Sequence, residues 1–227
     1  MQLVFDFPII PEYSFENFVT CSGNQTALVF AQRVVTGISG ENLLYLHGDD
    51  GAGKTHLLTA MGRELGAPVI PVEQLAADSF ADVFTGFRQL PALLLDDLQL
   101  LADDNDLRVA LWQLFNDFYS SGRKIAAAAT LPPKELETLD PHLKSRFLWG
   151  LVAKLDISDD ESRRMILQKL ADDRQIILPE EVSSYLLVHL PRAIPLLAEA
   201  IDRIKHHSFA TQRKITLKMA REVLAGG

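Results

Sequence analysis

The sequence predicts an α/β fold in which a parallel sheet is sandwiched between helices and is followed by a small all-helical domain. A glycine-rich segment, Gly48–Thr55, lies between a short apolar run and an amphipathic helical pattern. A second apolar run, Ala92–Leu95, ends in two acidic residues. After Ser158 the apolar residues keep helical spacing only. We expect a terminal peptide, an α/β domain and a helical domain, over residues 1–10, 11–157 and 158–227.

The composition is that of a globular protein from a reducing compartment. Hydrophobic residues make up 48% of the 227 residues, enough for a normal core. The single cysteine, Cys21, excludes an intramolecular disulfide and is typical of the cytoplasm. No apolar run reaches the roughly 18 residues of a membrane-spanning helix, and the first residues lack the basic character of a signal peptide. We therefore expect a cytoplasmic protein with no membrane partner.

The charge is acidic and uneven, with a net charge of −8. Residues 1–157 carry −9 and residues 158–227 carry +1. Nucleic-acid binding relies on clustered Lys and Arg, so this balance predicts little direct DNA binding. One basic group in the second domain forms either a small anion-binding patch or, as we favour, a solvated helix end. Its members are Arg203, Lys205, His206, His207, Arg213 and Lys214.

The first residues form an unusually apolar chain end. Leu3, Phe5 and Phe7 alternate with other residues, which suits an extended strand. Such a strand could dock on its own domain or add to the sheet of a partner. The residues alone do not decide between the two.

The other elements follow from periodicity and from candidate caps. Strands are predicted over residues 42–47, 68–72, 92–95, 124–129 and 151–157. Helices are predicted over residues 24–35 with an Asn24 cap, 55–65, 73–90 in one or two pieces, and 106–120. Helices of the second domain are predicted over residues 159–172, 179–190 with Pro179 at its first position, 192–210 and 216–224 with a Thr216 cap. The expected buried aromatic and aliphatic side chains include Phe80, Val83, Phe84, Phe87, Leu111, Trp112, Phe115 and Phe118.

The segment Gly48–Thr55, GDDGAGKT, fits the P-loop pattern of Gly, four residues, Gly, Lys and Ser or Thr. Glycines let successive backbone N–H groups face phosphate oxygens, and the following helix directs its positive end at the same phosphates. Lys54 would reach the β and γ phosphates, and the Thr55 hydroxyl would hold Mg²⁺. We therefore expect ADP or ATP with Mg²⁺ to be bound. The predicted nucleotide-binding residues here are Gly48, Asp49, Asp50, Gly51, Ala52, Gly53, Lys54, Thr55 and His56.

The acidic pair after the third strand has the features of a Walker B motif. Asp96 would hold Mg²⁺, and Asp97 would polarise the attacking water. Thr130 ends the next strand, and ligands of open α/β sheets lie at the carboxyl ends of strands. Thr130 is therefore placed to contact a γ-phosphate or the water beside it.

These motifs, followed by a helical domain, make the AAA+ pattern. The strings YSFENFV, GKTHLL, LLLDDLQLL and LKSRFLWGL resemble those of the ATPase domain of the bacterial replication initiator DnaA, over about residues 13–227. This resemblance implies a sensor 1 role for Thr130, where DnaA usually has an acid. It also implies an arginine finger at Arg146 and a sensor 2 at Arg192.

The resemblance further implies nucleotide contacts at Phe18, Val19 and Asn24. Cys21 stands nearby, where the family usually has Gly. This departure bears on the shape expected for the adenine pocket.

The chain is expected to lack the N-terminal interaction domain and the C-terminal helix-turn-helix domain of DnaA. An initiator ATPase module preceded by a QL-x-F-x-F peptide resembles the Hda family of DnaA-related regulators. In that family a similar peptide docks on the DNA polymerase sliding clamp, which favours partner docking over self-docking here. The matching residues are Gln2, Leu3, Val4, Phe5, Asp6 and Phe7.

Two functions remain as hypotheses. The first is a regulator that docks on the sliding clamp and presents Arg146 to ATP bound on DnaA, so that it associates with the bacterial nucleoid through its partners. The second is a self-assembling ATPase, a homo-oligomer that acts in replication or helicase loading with its own Asp97 and a neighbour's Arg146. A direct DNA-binding module is a weaker third hypothesis, which the net charge opposes.

Overall fold

The computed structural model describes residues 13–38, 40–76, 84, 86–191 and 193–225. They form two compact units, Tyr13–Asp156 and a second unit from Ile157 onward. Several predictions fall outside the described residues. These are the peptide Gln2–Phe7, Arg192, Phe80 and Val83.

The first unit is built on a parallel sheet, which confirms the predicted fold class. Its strands are β1 (Leu43–His47), β2 (Val69–Pro71), β3 (Ala92–Asp96), β4 (Lys124–Ala129) and β5 (Leu151–Lys154). Their order across the sheet is β2-β3-β4-β1-β5, and every pair is parallel. The strands are apolar almost throughout, as is typical of a parallel sheet covered on both faces. The strand β1 lies between β4 and β5, so the P-loop follows an interior strand of the sheet and not an edge strand.

The helices assigned in this unit differ in how they begin. They are α1 (Gln25–Thr36), α2 (Lys54–Leu65), α3 (Asn105–Ser120) and α4 (Pro141–Phe147), with short 3₁₀ turns at Val72–Ala76 and Leu98–Leu100. The Asp104 carboxylate accepts from the Leu107 N–H at 2.9 Å, and the Asp140 carboxylate accepts from the His142 N–H at 2.8 Å. Acidic side chains at these positions satisfy otherwise unpaired N–H groups of the first turn.

Most predicted boundaries agree with the structure within two residues, and two predicted elements differ by more. The strand predicted to reach residue 157 ends at Lys154. The segment predicted as helix over residues 73–90 begins as a 3₁₀ turn, and much of the rest lies outside the described residues. Phe84 is buried and Phe87 packs against the core, as expected.

An aromatic core fixes α3 and α4 to the sheet. Leu111, Phe115 and Phe118 of α3 are fully buried, which confirms three of the four positions expected there. The Phe147 ring lies edge-on to Tyr45 at 5.1 Å and to Phe115 at 5.3 Å. This core therefore supports the segment that follows Phe147.

The second unit is helical, as predicted. Its described helices are α5 (Asp160–Asp173), α6 (Glu180–His189), α7 (Ile194–Thr211) and α8 (Leu217–Ala225). Asp159 caps α5 through a 2.7 Å bond from the Ser162 N–H, and Thr216 caps α8 through a 3.3 Å bond from the Met219 N–H. Pro179 is at the N-cap of α6, one position before the predicted one. No helix in the described part of the chain is long and apolar enough to cross a membrane.

Some basic side chains of the second unit have structural partners. Arg174 donates to both Asp202 oxygens, at 2.6 and 2.9 Å, and this contact lowers the pKa of the Asp202 carboxyl. Arg203 donates to the Val223 carbonyl oxygen at 2.7 Å, near the end of α8. A cleft lined by His207 and neighbouring basic residues also contains Glu222. Of the basic group, Arg203 is therefore used in a contact within the unit, and the choice between an anion-binding patch and a solvated helix end stays open for the other members.

Candidate nucleotide-binding site

The P-loop turns between β1 and α2 through glycines that no other residue could replace without strain. Gly48 has φ of 151°, and a Cβ there would lie 2.2 Å from the Leu155 carbonyl oxygen. Gly53 has φ of 102°, and a Cβ there would lie 2.8 Å from the Phe18 ring. Backbone conformations of this kind, at this packing distance, require glycine. The loop is thus held between β5 and the segment before α1.

Lys54 is the buried cation of the loop, only 5% exposed. Its Nζ donates to the carbonyl oxygens of Gly48 at 2.7 Å and Asp49 at 2.9 Å. Burial lowers the pKa of Lys54, while Asp50, Asp97, Asp96 and Asp49 act in the opposite direction. A partly desolvated ammonium held under the loop is a strong partner for a phosphate group.

The segment before α1 packs on α2 through His56. A ring nitrogen of His56 lies 2.8 Å from the Ser14 carbonyl oxygen. The His56 ring contacts Tyr13 at 4.9 Å and Phe18, edge-on, at 5.2 Å between ring centroids. His56 was predicted as a nucleotide-binding residue next to the P-loop. In the structure it anchors the segment that carries Phe18 and Val19 beside the loop.

Asn24 organises the turn that enters α1. Its side chain is 1% exposed, accepts from the Cys21 N–H at 2.8 Å and donates to the Val19 carbonyl oxygen at 2.9 Å. Helix α1 begins at Gln25, directly after Asn24, but the Asn24 side chain makes no cap hydrogen bond. Asn24 thus occupies the predicted N-cap position, but its amide holds Val19 and Cys21 instead of forming a capping hydrogen bond.

Asp96 and Thr55 provide two oxygen ligands suited to Mg²⁺. Asp96 ends β3, is 3% exposed, and accepts a hydrogen bond from the Thr55 hydroxyl. Burial raises the pKa of Asp96, and the Thr55 hydrogen bond opposes this rise. Magnesium in phosphate sites binds one or two such oxygens together with substrate phosphates and water. This pair of hard oxygen donors fits that requirement.

Asp97 adopts an uncommon backbone conformation beside this pair. Its φ of 57° lies in the left-handed region, and its carbonyl oxygen accepts from the Leu100 N–H at 2.8 Å. Non-glycine residues in this region cost free energy and often occur at functional sites. The turn directs the Asp97 side chain to Gln99, whose Nε2 donates to its carboxylate at 2.8 Å.

Gln99 joins the Walker B turn to the end of β4. The Gln99 Oε1 accepts from the Thr130 N–H at 3.1 Å, while the same amide binds Asp97. On the other side of Thr130, the Tyr45 hydroxyl donates to the Leu131 carbonyl oxygen at 2.9 Å, and burial raises the pKa of Tyr45. The sequence did not predict a role for Gln99 or for Tyr45. Gln99 carries one signal that could have suggested its role, since it lies two positions after Asp97. No comparable signal marks Tyr45.

We expect the Gln99→Leu variant to be less stable than the parent by about 1–3 kcal/mol, because the Thr130 N–H and Asp97 would each lose a partner in a part-buried site. The free energy of unfolding in urea measures this loss. The control is Gln113→Leu, which makes the same change at an exposed position of α3. Equal stability of the two variants would contradict the bridging role.

Arg146 lies in a different environment, on the last turn of α4. Its guanidinium lies over the Trp149 ring at 4.2 Å from the centroid, with Tyr119 at 5.5 Å and Trp112 at 5.7 Å. Among the described residues, no carboxylate forms an ion pair with Arg146. Trp112 was expected in the core, but it is only partly buried and faces this arginine.

Comparison with known proteins agrees with this fold. The model of the bacterial DnaA ATPase domain matches residues 9–154, and the model of the Hda lid domain matches residues 160–224. The DnaA protein of Geobacter sulfurreducens is 34% identical over 234 residues. That alignment covers 94% of this chain and 52% of the relative, so the chain spans about half the length of this curated relative.

Two solved structures extend the comparison. Domain III of the Thermotoga maritima replication initiation protein DnaA has a TM-score of 0.83 and 28% identity, covering 97% of this chain and 98% of that one. AMPPCP-bound DnaA from Aquifex aeolicus has a TM-score of 0.73 and 27% identity, covering 88% of this chain and 67% of that one. The AAA+ sheet and the helical second domain are thereby confirmed. This chain is a member of the bacterial DnaA ATPase domain family.

Proposed function

We propose that this protein is a nucleotide-binding AAA+ regulator of chromosome replication initiation. It docks on the DNA polymerase sliding clamp and promotes hydrolysis of ATP bound to DnaA, with Arg146 as the arginine finger. It acts in the bacterial cytoplasm, associated with the nucleoid through its partners, and binds little DNA directly. The match of its second unit to the Hda lid domain supports a regulator related to DnaA.

The observation that carries the proposal is the environment of Arg146. Ring faces surround its guanidinium, and no carboxylate among the described residues neutralises it. Its planar set of N–H donors is therefore available to phosphate oxygens. An arginine that acts on a nucleotide of another protein can accelerate hydrolysis by about 10³–10⁵-fold.

The protein's own site binds ADP or ATP with Mg²⁺. In this proposal the P-loop N–H groups and Lys54 hold the phosphates, and the segment with Phe18, Val19 and Asn24 lies against the base. Thr55 and Asp96 would hold the metal ion, which supplies charge neutralisation at the phosphates. The AMPPCP bound by Aquifex aeolicus DnaA supports an adenine nucleotide as the ligand. Nucleotide binding stabilises the folded protein by mass action.

Docking on the clamp is assigned to the peptide Gln2–Phe7. Glutamine offers an amide for a small polar subsite, while Leu3, Phe5 and Phe7 offer apolar surface for a neighbouring pocket. We expect Gln2→Ala combined with Phe5→Ala to lower clamp affinity by at least about 100-fold, because such anchors dominate peptide binding. Surface plasmon resonance against immobilised clamp measures this change.

The control for that experiment is Val4→Ala, at an intervening position of the same peptide. The melting temperatures of all three proteins should agree. Undiminished clamp affinity of the double variant would exclude this role for the peptide.

A second function is supported by the residues that surround the P-loop. Lys54, Thr55 and Asp96 are brought together, and Asp97 lies beside them, so the residues for the protein's own hydrolysis are present. A self-assembling ATPase that acts in replication or helicase loading would use the same residues. Its specific activity would rise with protein concentration, as neighbouring subunits supply Arg146 to each other.

One assay separates the two functions. Radiolabelled ATP is bound to DnaA, free nucleotide is removed, and hydrolysis is followed after this protein is added, with and without clamp loaded on DNA. Acceleration that requires the clamp supports the regulator. Absence of acceleration, together with concentration-dependent hydrolysis of its own ATP, supports the self-assembling ATPase.

A further inference from the structure

We propose that Trp149, Trp112 and Tyr119 form an aromatic cage that holds Arg146 ready for the phosphates of a nucleotide on another protein. Trp149 is then a positioning residue. This inference rests on the proposed function, since it describes how the finger of that reaction is prepared. The aromatic cage is defined by these three rings.

Two of the rings come from one face of α3. Trp112 and Tyr119 are seven positions apart, which corresponds to two turns of a helix and places them on the same side. Phe115 lies between them and stacks on each, with centroids 6.5 Å from Trp112 and 5.9 Å from Tyr119. Because Phe115 is fully buried, the core fixes the position of both rings.

The third ring comes from the turn that ends α4. The Trp149 N–H donates to the Arg146 carbonyl oxygen at 3.0 Å, so the backbone holds Trp149 close to the arginine. The next residue, Gly150, is packed so closely that a Cβ there would lie 2.5 Å from Leu43 Cγ. The Trp149 ring meets Tyr119 at 6.3 Å with an angle of 60° between the planes. The arginine therefore lies between two elements that are both fixed to the core.

The chemistry of stacking explains why this arrangement suits a finger. An aromatic ring attracts the face of a guanidinium, while the N–H groups point outward in the guanidinium plane. A carboxylate would instead occupy those N–H groups in a bidentate pair and compete with phosphate. The aromatic cage thus restricts the long side chain before binding and leaves its donors available. Restricting a side chain in advance removes part of the ordering cost at the moment of binding.

Trp149 can be replaced without disturbing the core, because its side chain is 61% exposed. We expect Trp149→Ala to lower the maximal rate of DnaA-bound ATP hydrolysis by about tenfold, within the range that cation–π contacts account for. Trp149→Phe keeps a ring face and should restore most of that rate. The control is Leu148→Ala, which removes the neighbouring exposed apolar side chain and should match the parent.

A second measurement does not depend on DnaA. A guanidinium over a ring face experiences the ring current, so the Arg146 Nε–Hε signal in a ¹H–¹⁵N spectrum should lie upfield of those of the other arginines. The Arg146→Lys spectrum assigns this signal. In Trp149→Ala it should move downfield, toward the signals of the other arginines, while in Leu148→Ala it should not move. An Arg146 signal at the ordinary position in the parent protein would overturn the aromatic cage.

The outcomes distinguish this inference from the proposed function. If Arg146→Ala abolishes acceleration but Trp149→Ala stays within twofold of the parent, the proposed function stands and the positioning role of Trp149 is overturned. If Trp149→Phe is as impaired as Trp149→Ala, the ring face is not what matters, and the inference is again overturned. If Arg146→Ala accelerates hydrolysis as well as the parent does, the proposed function itself fails.

Discussion

Lys54→Ala is expected to abolish nucleotide binding. Lys54 is the buried cation of the P-loop, and its Nζ is held at the loop by two carbonyl oxygens. A hydrogen bond to a charged group contributes about 1.5–3 kcal/mol, so loss of the ammonium should weaken ADP binding by up to about 100-fold for each phosphate contact. The parent protein should gain about 2.7 kcal/mol of stability at an ADP concentration of 100 times Kd. The variant should show no such gain in a thermal unfolding experiment.

The control for Lys54→Ala is Lys134→Ala, which removes the same charge from an exposed position of the same unit. This variant should be stabilised by ADP as the parent is. Isothermal titration calorimetry with ADP and Mg²⁺ provides a direct check. If ADP stabilised Lys54→Ala as much as the parent, the nucleotide would bind elsewhere and the P-loop assignment would be wrong.

Arg146→Ala is expected to remove the acceleration of hydrolysis on DnaA while leaving ADP binding unchanged. The guanidinium is assigned to a nucleotide on another protein, so its loss should cost about 10³-fold or more in the stimulated rate. The side chain forms no ion pair with a described residue, and its contact with the exposed Trp149 ring contributes only about 0.5–1 kcal/mol, so we expect a small decrease in melting temperature. The assay is release of phosphate from DnaA-bound ATP in the presence of clamp on DNA.

Two controls make the Arg146 experiment specific. Arg146→Lys keeps the positive charge but loses the planar set of donors, and it should retain only a small part of the acceleration. Lys144→Ala removes a neighbouring cation of α4 and should behave as the parent does. Equal losses in Arg146→Ala and Lys144→Ala would indicate a general effect of positive charge on association instead of a finger.

The sheet and the P-loop were predictable because their signals are local. Apolar runs such as Ala92–Leu95 and the spacing of Gly48–Thr55 are read directly from neighbouring residues, and the structure places both as expected. For the cap of α5 the sequence offers both Ser158 and Asp159, and in the structure Asp159 takes this position. By contrast, the side chain of Asn24 turns inward to two backbone groups, which no local pattern distinguishes from a helix cap.

Several contacts that hold side chains around Thr130 and Arg146 join residues far apart in the sequence. Tyr45 reaches the Leu131 carbonyl, and Trp149 reaches Tyr119 and Arg146. Such contacts depend on the packing of α3 and α4 on the sheet, so a single sequence carries no signal for them. Trp112 illustrates this limit, since its helical spacing fits a core position while its ring faces an arginine.

The side-chain amide of Gln99 links Asp97, which follows β3, to Thr130, which follows β4. Its nitrogen binds the Asp97 carboxylate and its oxygen binds the Thr130 N–H. A half-turn of the amide would place a donor against the Thr130 N–H and an acceptor against the carboxylate, breaking both bonds at once. Any change in the orientation of this amide would therefore affect Asp97 and Thr130 together, although the two residues follow different strands.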